Sequence, residues 1–278
     1  MARLIVVSNR VAIPSRDGAN HAGGLAVAVR SLLKRNGGLW FGWSGTVATD
    51  EDITIRTITQ GGLSYVVTDL AAADYQEYYN GFANRVLWPI LHYRLDLAEF
   101  SRRDLSGYRR VNALFANQIH ELLRPDDVVW VHDYHLIPLA KMLRDRGHRN
   151  PIGFFLHVPF PPPEILTALP NHEWLIPQLS AYDLAGFQTE NDATNCARYL
   201  ENECRLEKRT AYTFQAGERT VRIGVFPIGI ETNEFSRLAR RSVRSSLARN
   251  AASALPRSIR SEACRASTSS RRNACSVG

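Results

Sequence analysis

Val128-Val129-Trp130-Val131-His132-Asp133-Tyr134-His135 is an apolar run of strand length that ends abruptly in four polar or ionisable groups. Residues 128–131 are apolar at successive positions rather than alternately, the pattern of a strand buried on both faces. The same pattern recurs at Leu4–Ser8, Ile152–Leu156, Leu184–Phe187 and Val221–Phe226, and amphipathic stretches around 24–35, 106–123, 136–146 and 190–201 lie between these runs. That order predicts an α/β fold with a doubly wound sheet and helices on both faces. Residues 37–68 break the rhythm. Gly37-Gly38, Trp40 and Trp43, the alternating Ile53, Ile55 and Ile58, and then Tyr65, Val66 and Val67 predict antiparallel strands or a hairpin inserted near one edge.

The chain has 278 residues, 45% hydrophobic and 22% charged, enough for one large core or two modest ones. Its net charge of +7 is unevenly placed. Residues 237–278 hold 10 Arg, no Lys and one acid, Glu262, so the preceding 236 residues carry a net −2. The body is therefore mildly acidic and gives no support for a nucleic-acid partner. No apolar run approaches the roughly 20 residues of a membrane span. Met1 leads directly into a charged and then strand-like segment without a signal-peptide core, so a cytoplasmic location and no membrane partner are expected. Cys196, Cys204, Cys264 and Cys275 match no zinc spacing and read as structural thiols. From Arg237 onward Arg, Ser and Ala make up 28 of 42 residues, a composition that predicts disorder, with one amphipathic helix possible over Ser236–Arg249.

Ligands of open α/β sheets bind beyond the carboxyl ends of the strands, which directs attention to three strand ends. The first is Ser8-Asn9-Arg10, followed by Gly23-Gly24 at the start of a helical pattern. A guanidinium beside a glycine-rich helix start suits an anion; a structural ion pair and a plain turn are the alternatives. The second is His132-Asp133-Tyr134-His135, where Asp133 can orient or deprotonate a sugar hydroxyl or can serve as a helix N-cap. The third is the apolar strand Gly153-Phe154-Phe155-Leu156, which ends in His157 and a rigid turn through Pro159, Pro161, Pro162 and Pro163. His157 is either structural or part of a site shared with Asp133. The block from Asp74 to Pro89 mixes Tyr75, Tyr78, Tyr79, Phe82 and Trp88 with Asn80, Asn84 and Arg85, suited to carbohydrate recognition or to packing at a domain edge.

Taken in order, Ser8-Asn9-Arg10, Ala22-Gly23-Gly24-Leu25, Trp40-Phe41-Gly42-Trp43-Ser44-Gly45, Tyr78-Tyr79-Asn80, Leu87-Trp88-Pro89, His132-Asp133-Tyr134-His135, Phe154 to Pro161, Gly186-Phe187-Gln188-Thr189 and Pro227-Ile228-Gly229-Ile230 resemble the trehalose-6-phosphate synthase family from residue 3 to about 235. The resemblance implies a GT-B glycosyltransferase that transfers glucose from UDP-glucose to glucose 6-phosphate with retention. Residues 1–235 would form its N-terminal Rossmann-like, acceptor-binding domain. It further implies that Arg10 grips the acceptor phosphate, that Tyr79, Trp88 and Asp133 line the glucose 6-phosphate site, that Gly23 and Gly24 approach the donor diphosphate, and that His157 contacts the donor sugar near the point of transfer. Asp133 and His157 are thus the catalytic candidates. No metal and no cofactor besides the co-substrate UDP-glucose are implied, and a homo-oligomer of the full-length parent is left open.

The carboxyl end departs from the family. The Arg-Leu-Asp-Tyr-Ser-Lys-Gly motif and the later acidic motif of the C-terminal Rossmann domain are missing, and residues 236–278 read as a tail whose composition suggests a frameshift close to residue 250. Two functions compete: a synthase whose activity needs a partner half, and a non-catalytic fragment that binds sugar phosphate or docks on full-length subunits. A nucleic-acid binder resting on the Arg-rich tail and an unrelated GT-B enzyme are weaker alternatives.

Overall fold

Strand β1 (Leu4–Arg10) lies inside a ten-stranded sheet, with β2 (Gly38–Ala48) parallel on one side and β5 (Val128–His132) parallel on the other. The computed structural model describes residues 2–13, 24–49, 53, 55–229 and 236–237. Beyond β2 come β4 (Leu63–Ala71), parallel to it, and β3 (Arg56–Gln60), antiparallel to β4 at the edge. Beyond β5 come β6 (Ile152–Phe155), β7 (Leu184–Phe187) and β10 (Arg219–Val225), all parallel, then the antiparallel β9 (Thr213–Ala216) and β8 (Glu207–Thr210).

The interior strands are buried on both faces, which explains the continuous apolar runs. Ile5 and Val7 of β1, with Leu39, Phe41 and Trp43 of β2, join one core together with Tyr78, Tyr108 and Phe115. Val6, Trp40, Tyr65 and Val67 join a second core with Val29 and Leu33 of the helix Gly24–Asn36. Each such side chain stabilises the fold by about 1.5–3 kcal/mol relative to exposure. Two long helices begin where sequence chemistry sets them. Ser101 accepts from the Asp104 backbone at the start of Arg102–Leu122, and Thr189 accepts from the Asp192 backbone at the start of Glu190–Asn202.

Several expectations need refinement. The β3–β4 hairpin does sit at an edge, but β2 and β4 are parallel members of the sheet rather than an antiparallel insertion. β2 carries apolar side chains to both faces, Trp40 to one core and Phe41 to the other, as an interior strand must. The helix expected over 136–146 is split. A 3-10 turn covers Tyr134–Leu136, and the α-helix Leu139–Asp145 starts only after Pro138, whose ring cannot sit inside a helix. The antiparallel β8–β9 pair was not anticipated, although Gly217 at φ 61 marks the turn between β9 and β10.

Residues 1–227 group as one unit and 228–278 as another. The expected boundary near 235, and the expected disordered tail with its helix and frameshift, fall outside the described residues apart from 236–237.

The sheet order places a topological switch point between β1 and β5, because the chain builds outward from β1 through β2 to β4 on one side and from β5 to β10 on the other. Arg10 ends β1 and His132 ends β5, so both flank that crevice.

Candidate functional site

Arg10 is exposed, and its guanidinium carbon lies 5.8 Å from the Trp43 ring centroid. It forms no ion pair among the described residues. The strand end beneath it is braced: Trp40 Nε1 donates to Ser8 Oγ at 2.8 Å, and that hydroxyl donates to the Arg10 carbonyl at 2.9 Å. Tyr78 donates to Asn9 Oδ1 at 2.8 Å, tying β1 to the aromatic segment. A cation held against an indole at a switch point, with no ion-pair partner among the described residues, can receive an anion.

From Trp43 an aromatic layer leads to an open pocket. Trp43 and Tyr79 have ring centroids 5.7 Å apart, and Tyr79 stacks on Tyr75 at 5.7 Å and on His135 at 5.9 Å. Tyr79, Asn84, Trp88 and Tyr134 line a cavity of about 410 Å³. Trp88 remains 45% exposed despite its size, and its ring lies 5.9 Å from that of Tyr134. The Tyr134 hydroxyl donates to Asn84 Oδ1 at 3.3 Å. Tyr79 and Asn84 reach the cavity from a π-helical stretch, Tyr75–Leu87, whose wide turn shifts side chains from α-helical spacing. Ring faces beside amide and phenol groups match a sugar's alternating C–H and O–H surfaces.

Asp133 joins this pocket to the histidines. Its backbone lies at φ 76, ψ 163, a region that costs a non-glycine residue roughly 1–3 kcal/mol and that clusters at functional sites. It stands at an N-cap position but makes no capping bond there; its Oδ1 instead accepts from the His157 backbone at 3.4 Å. Burial pushes its carboxyl up to about 6, against backbone N–H groups of Tyr134 and His157 that favour the anion. A carboxyl titrating there can exchange a proton with a hydroxyl near neutral pH. His132 Nδ1 and His157 Nε2 are 2.9 Å apart, and burial holds these rings neutral, at about 3 and about 4. His135 is buried beside Tyr79 with neither ring nitrogen bonded among the described residues, and burial lowers it to about 3.

The structure thus brings Arg10, Tyr79, Trp88, Asp133 and His157 into one connected neighbourhood at the carboxyl ends of β1, β5 and β6. Gly24 is the first residue of the helix Gly24–Asn36, while Gly23 lies outside the described residues. Sequence reasoning missed Trp43 as the platform for Arg10, and Asn84 and Tyr134 as lining residues. All three stand inside motifs already singled out, but only the π-helical turn and the bend at Asp133 bring Asn84 and Tyr134 to the same wall.

The turn after His157 is fixed from a distance. Asp192 Oδ1 accepts from the Phe160 backbone at 2.9 Å, and Asn195 donates to the Phe160 carbonyl at 2.9 Å. Burial raises both the Cys196 and the Cys204 thiols, Cys204 to about 12, so neither is a ready nucleophile. Among the described residues no group of three or more His, Cys, Asp or Glu side chains is placed to hold a metal ion, and no helix is long and apolar enough to cross a membrane.

The chain is similar to known proteins in sequence and in structure. The chain is 47% identical over 259 residues to the trehalose-6-phosphate synthase of Sinorhizobium fredii, covering 92% of this chain and 56% of that protein. The crystal structure of an alpha,alpha-trehalose-phosphate synthase (UDP-forming) from Burkholderia vietnamiensis superposes with a TM-score of 0.85 at 44% identity, covering 91% of this chain and 55% of that one. The Burkholderia xenovorans enzyme of the same description, solved in complex with glucose-6-phosphate, gives 0.82 at 45% identity over 90% of this chain and 54% of that one. The chain spans about half the length of the curated relatives it matches. These likenesses support the expected fold, the N-terminal Rossmann-like domain of a GT-B glycosyltransferase. Since the glycosyltransferase family 20 model matches residues 2–252, the chain belongs to that family.

Proposed function

We propose that this chain holds the acceptor side of a trehalose-6-phosphate synthase, the parent enzyme transferring glucose from UDP-glucose to glucose 6-phosphate with retention. The observation that carries the reading is the pocket lined by Tyr79, Asn84, Trp88 and Tyr134, linked through Trp43 to the exposed Arg10. In this reading Arg10 takes the phosphate, Tyr79 and Trp88 face the sugar ring, and Asp133 orients its reacting hydroxyl. Gly23 and Gly24 approach the donor diphosphate, and His157 touches the donor sugar. The Burkholderia xenovorans relative with glucose-6-phosphate bound supports the choice of acceptor.

Retention without an enzyme nucleophile requires attack on the face the leaving group vacates, through an oxocarbenium-like transition state, with the leaving phosphate taking the acceptor proton. Asp133 then acts by orientation, its buried carboxyl holding the reacting hydroxyl in line. Charge developing on UDP needs hydrogen-bond donors and cations around it, and such electrostatic stabilisation commonly lowers the barrier more than any other effect. The proposal assigns those groups to the family's C-terminal domain. The 278-residue chain alone is therefore expected to make negligible trehalose 6-phosphate. A cytoplasmic location belongs to the same proposal, as does a homo-oligomeric parent.

A second reading is a non-catalytic module that binds sugar phosphate or docks on full-length subunits; the same pocket would serve it, since holding a ligand needs no catalytic partner. Two measurements separate the readings. Calorimetric titration with glucose 6-phosphate should show saturable binding, with glucose at least ~10-fold weaker and Arg10→Ala lowering affinity by roughly 10–100-fold, the value of a charge-assisted contact. Absence of binding would overturn the acceptor assignment. Product formation on adding a separately expressed C-terminal domain would favour the enzyme over the module.

A further inference from the structure

His132 and His157 form a tandem whose proton placement follows from the surroundings of the buried member. His132 closes β5, is 1% exposed, and packs against Trp130 at 4.2 Å and Phe155 at 6.5 Å between ring centroids. Its Nδ1 lies 2.9 Å from His157 Nε2, with the two rings near-parallel at 27°. Its other nitrogen, Nε2, is buried with no hydrogen-bond partner among the described residues. Two neutral imidazoles that share one hydrogen bond have two possible arrangements. If His157 donated from Nε2, the proton of His132 would have to sit on Nε2, a buried N–H without an acceptor. If His132 donates from Nδ1, its Nε2 is a bare lone pair facing apolar rings. An orphaned buried N–H is the rarer and costlier of the two.

We infer that His132 is a positioning residue that donates from Nδ1 to His157 Nε2 and so fixes His157 with its proton on Nδ1. His157 then offers a ligand a hydrogen-bond donor and never an acceptor. It is partly exposed, and its Nδ1 has no partner among the described residues. A fixed donor suits an oxygen acceptor such as a sugar hydroxyl or a phosphate oxygen, and the ring needs no charge to act. The inference deepens the assignment of His157 to the donor sugar, but it concerns the proton and is read in the free protein. Its failure is therefore distinct from failure of the sugar-binding reading, which the calorimetric titration tests.

Long-range proton–nitrogen spectra of the chain labelled with 15N in its histidine rings report which nitrogen carries the proton, with His157→Gln supplying the assignment. At pH 7 the expected result is His157 protonated on Nδ1 and bare on Nε2. His132→Asn, whose side-chain amide stands where Nδ1 does and can still donate, should keep that state. His132→Phe, which cannot donate, should shift most of the His157 population to the Nε2–H form. His157 found as Nε2–H in the unsubstituted protein would overturn the inference, as would a folded His132→Phe variant in which His157 stays on Nδ1. Should His132→Phe fail to fold, the unsubstituted and His132→Asn spectra decide on their own.

Discussion

Gly45, at φ 93, faces the Arg10 guanidinium so closely that a β-carbon there would lie 2.7 Å from its Nε and Nη2. The glycine thus makes room for the arginine on Trp43, and its positive φ suits no other residue as well. Gly45→Ala should push Arg10 off the indole and weaken glucose 6-phosphate binding by roughly 10-fold or more while glucose binding changes less. Calorimetry with both ligands checks this; an equal loss for both would mean the pocket itself had moved.

Asp133 gives a pH signature of known sign. Its folded value of about 6 lies above the ordinary 3.8, so its contribution to stability is full below about pH 4 and is lost as pH rises through 6. Above pH 6 the buried carboxylate costs about 3 kcal/mol. Asp133→Asn should therefore be more stable than the parent at pH 7 by up to that amount, the difference shrinking toward pH 4, as read from urea midpoints. The same variant should bind glucose 6-phosphate less tightly.

The histidines act in the opposite direction. His132, His135 and His157 sit at about 3, 3 and 4, below the unfolded 6.5, so the unfolded chain takes up more protons as pH falls. Their stabilisation is complete above pH 6.5 and is lost by about 1.4 kcal/mol per pH unit for each ring below it. Three rings outweigh Asp133, so the urea midpoint should fall between pH 6.5 and 5. His135→Phe, which can keep the stack on Tyr79, should reduce that fall; a midpoint flat over this range would contradict it.

Gly107 permits the close crossing that carries the aromatic segment. A β-carbon on it would lie 2.3 Å from Glu77 Cβ, and Glu77 itself pairs with Arg103 at 2.5 Å and Arg110 at 2.7 Å. Gly107→Ala, ordinarily favourable within a helix, should here cost about 1–3 kcal/mol by overpacking. The melting temperature should drop by about 2–4 °C per kcal/mol.

Much of this was legible because strands buried on both faces announce themselves as unbroken apolar runs; Val128–Val131 and Ile152–Leu156 fell where β5 and β6 are. Arg10, Asp133 and His157 were legible because a doubly wound sheet sends attention to strand ends. β2 was misread because its glycines and tryptophans imitate a hairpin, while its interior position depends on burial from both sides. Asn84 and Tyr134 escaped selection because one lies on a π-helical stretch and the other beyond a left-handed bend, backbone states with no periodic signal. The His132–His157 contact joins residues 25 positions apart and exists only through the β5–β6 pairing.

The most direct test of the central claim is a crystal structure of the chain with glucose 6-phosphate. The account predicts the sugar ring between Tyr79 and Trp88, its phosphate on Arg10 and a hydroxyl at Asp133. Glucose 6-phosphate bound elsewhere, or with its phosphate away from Arg10, would contradict it.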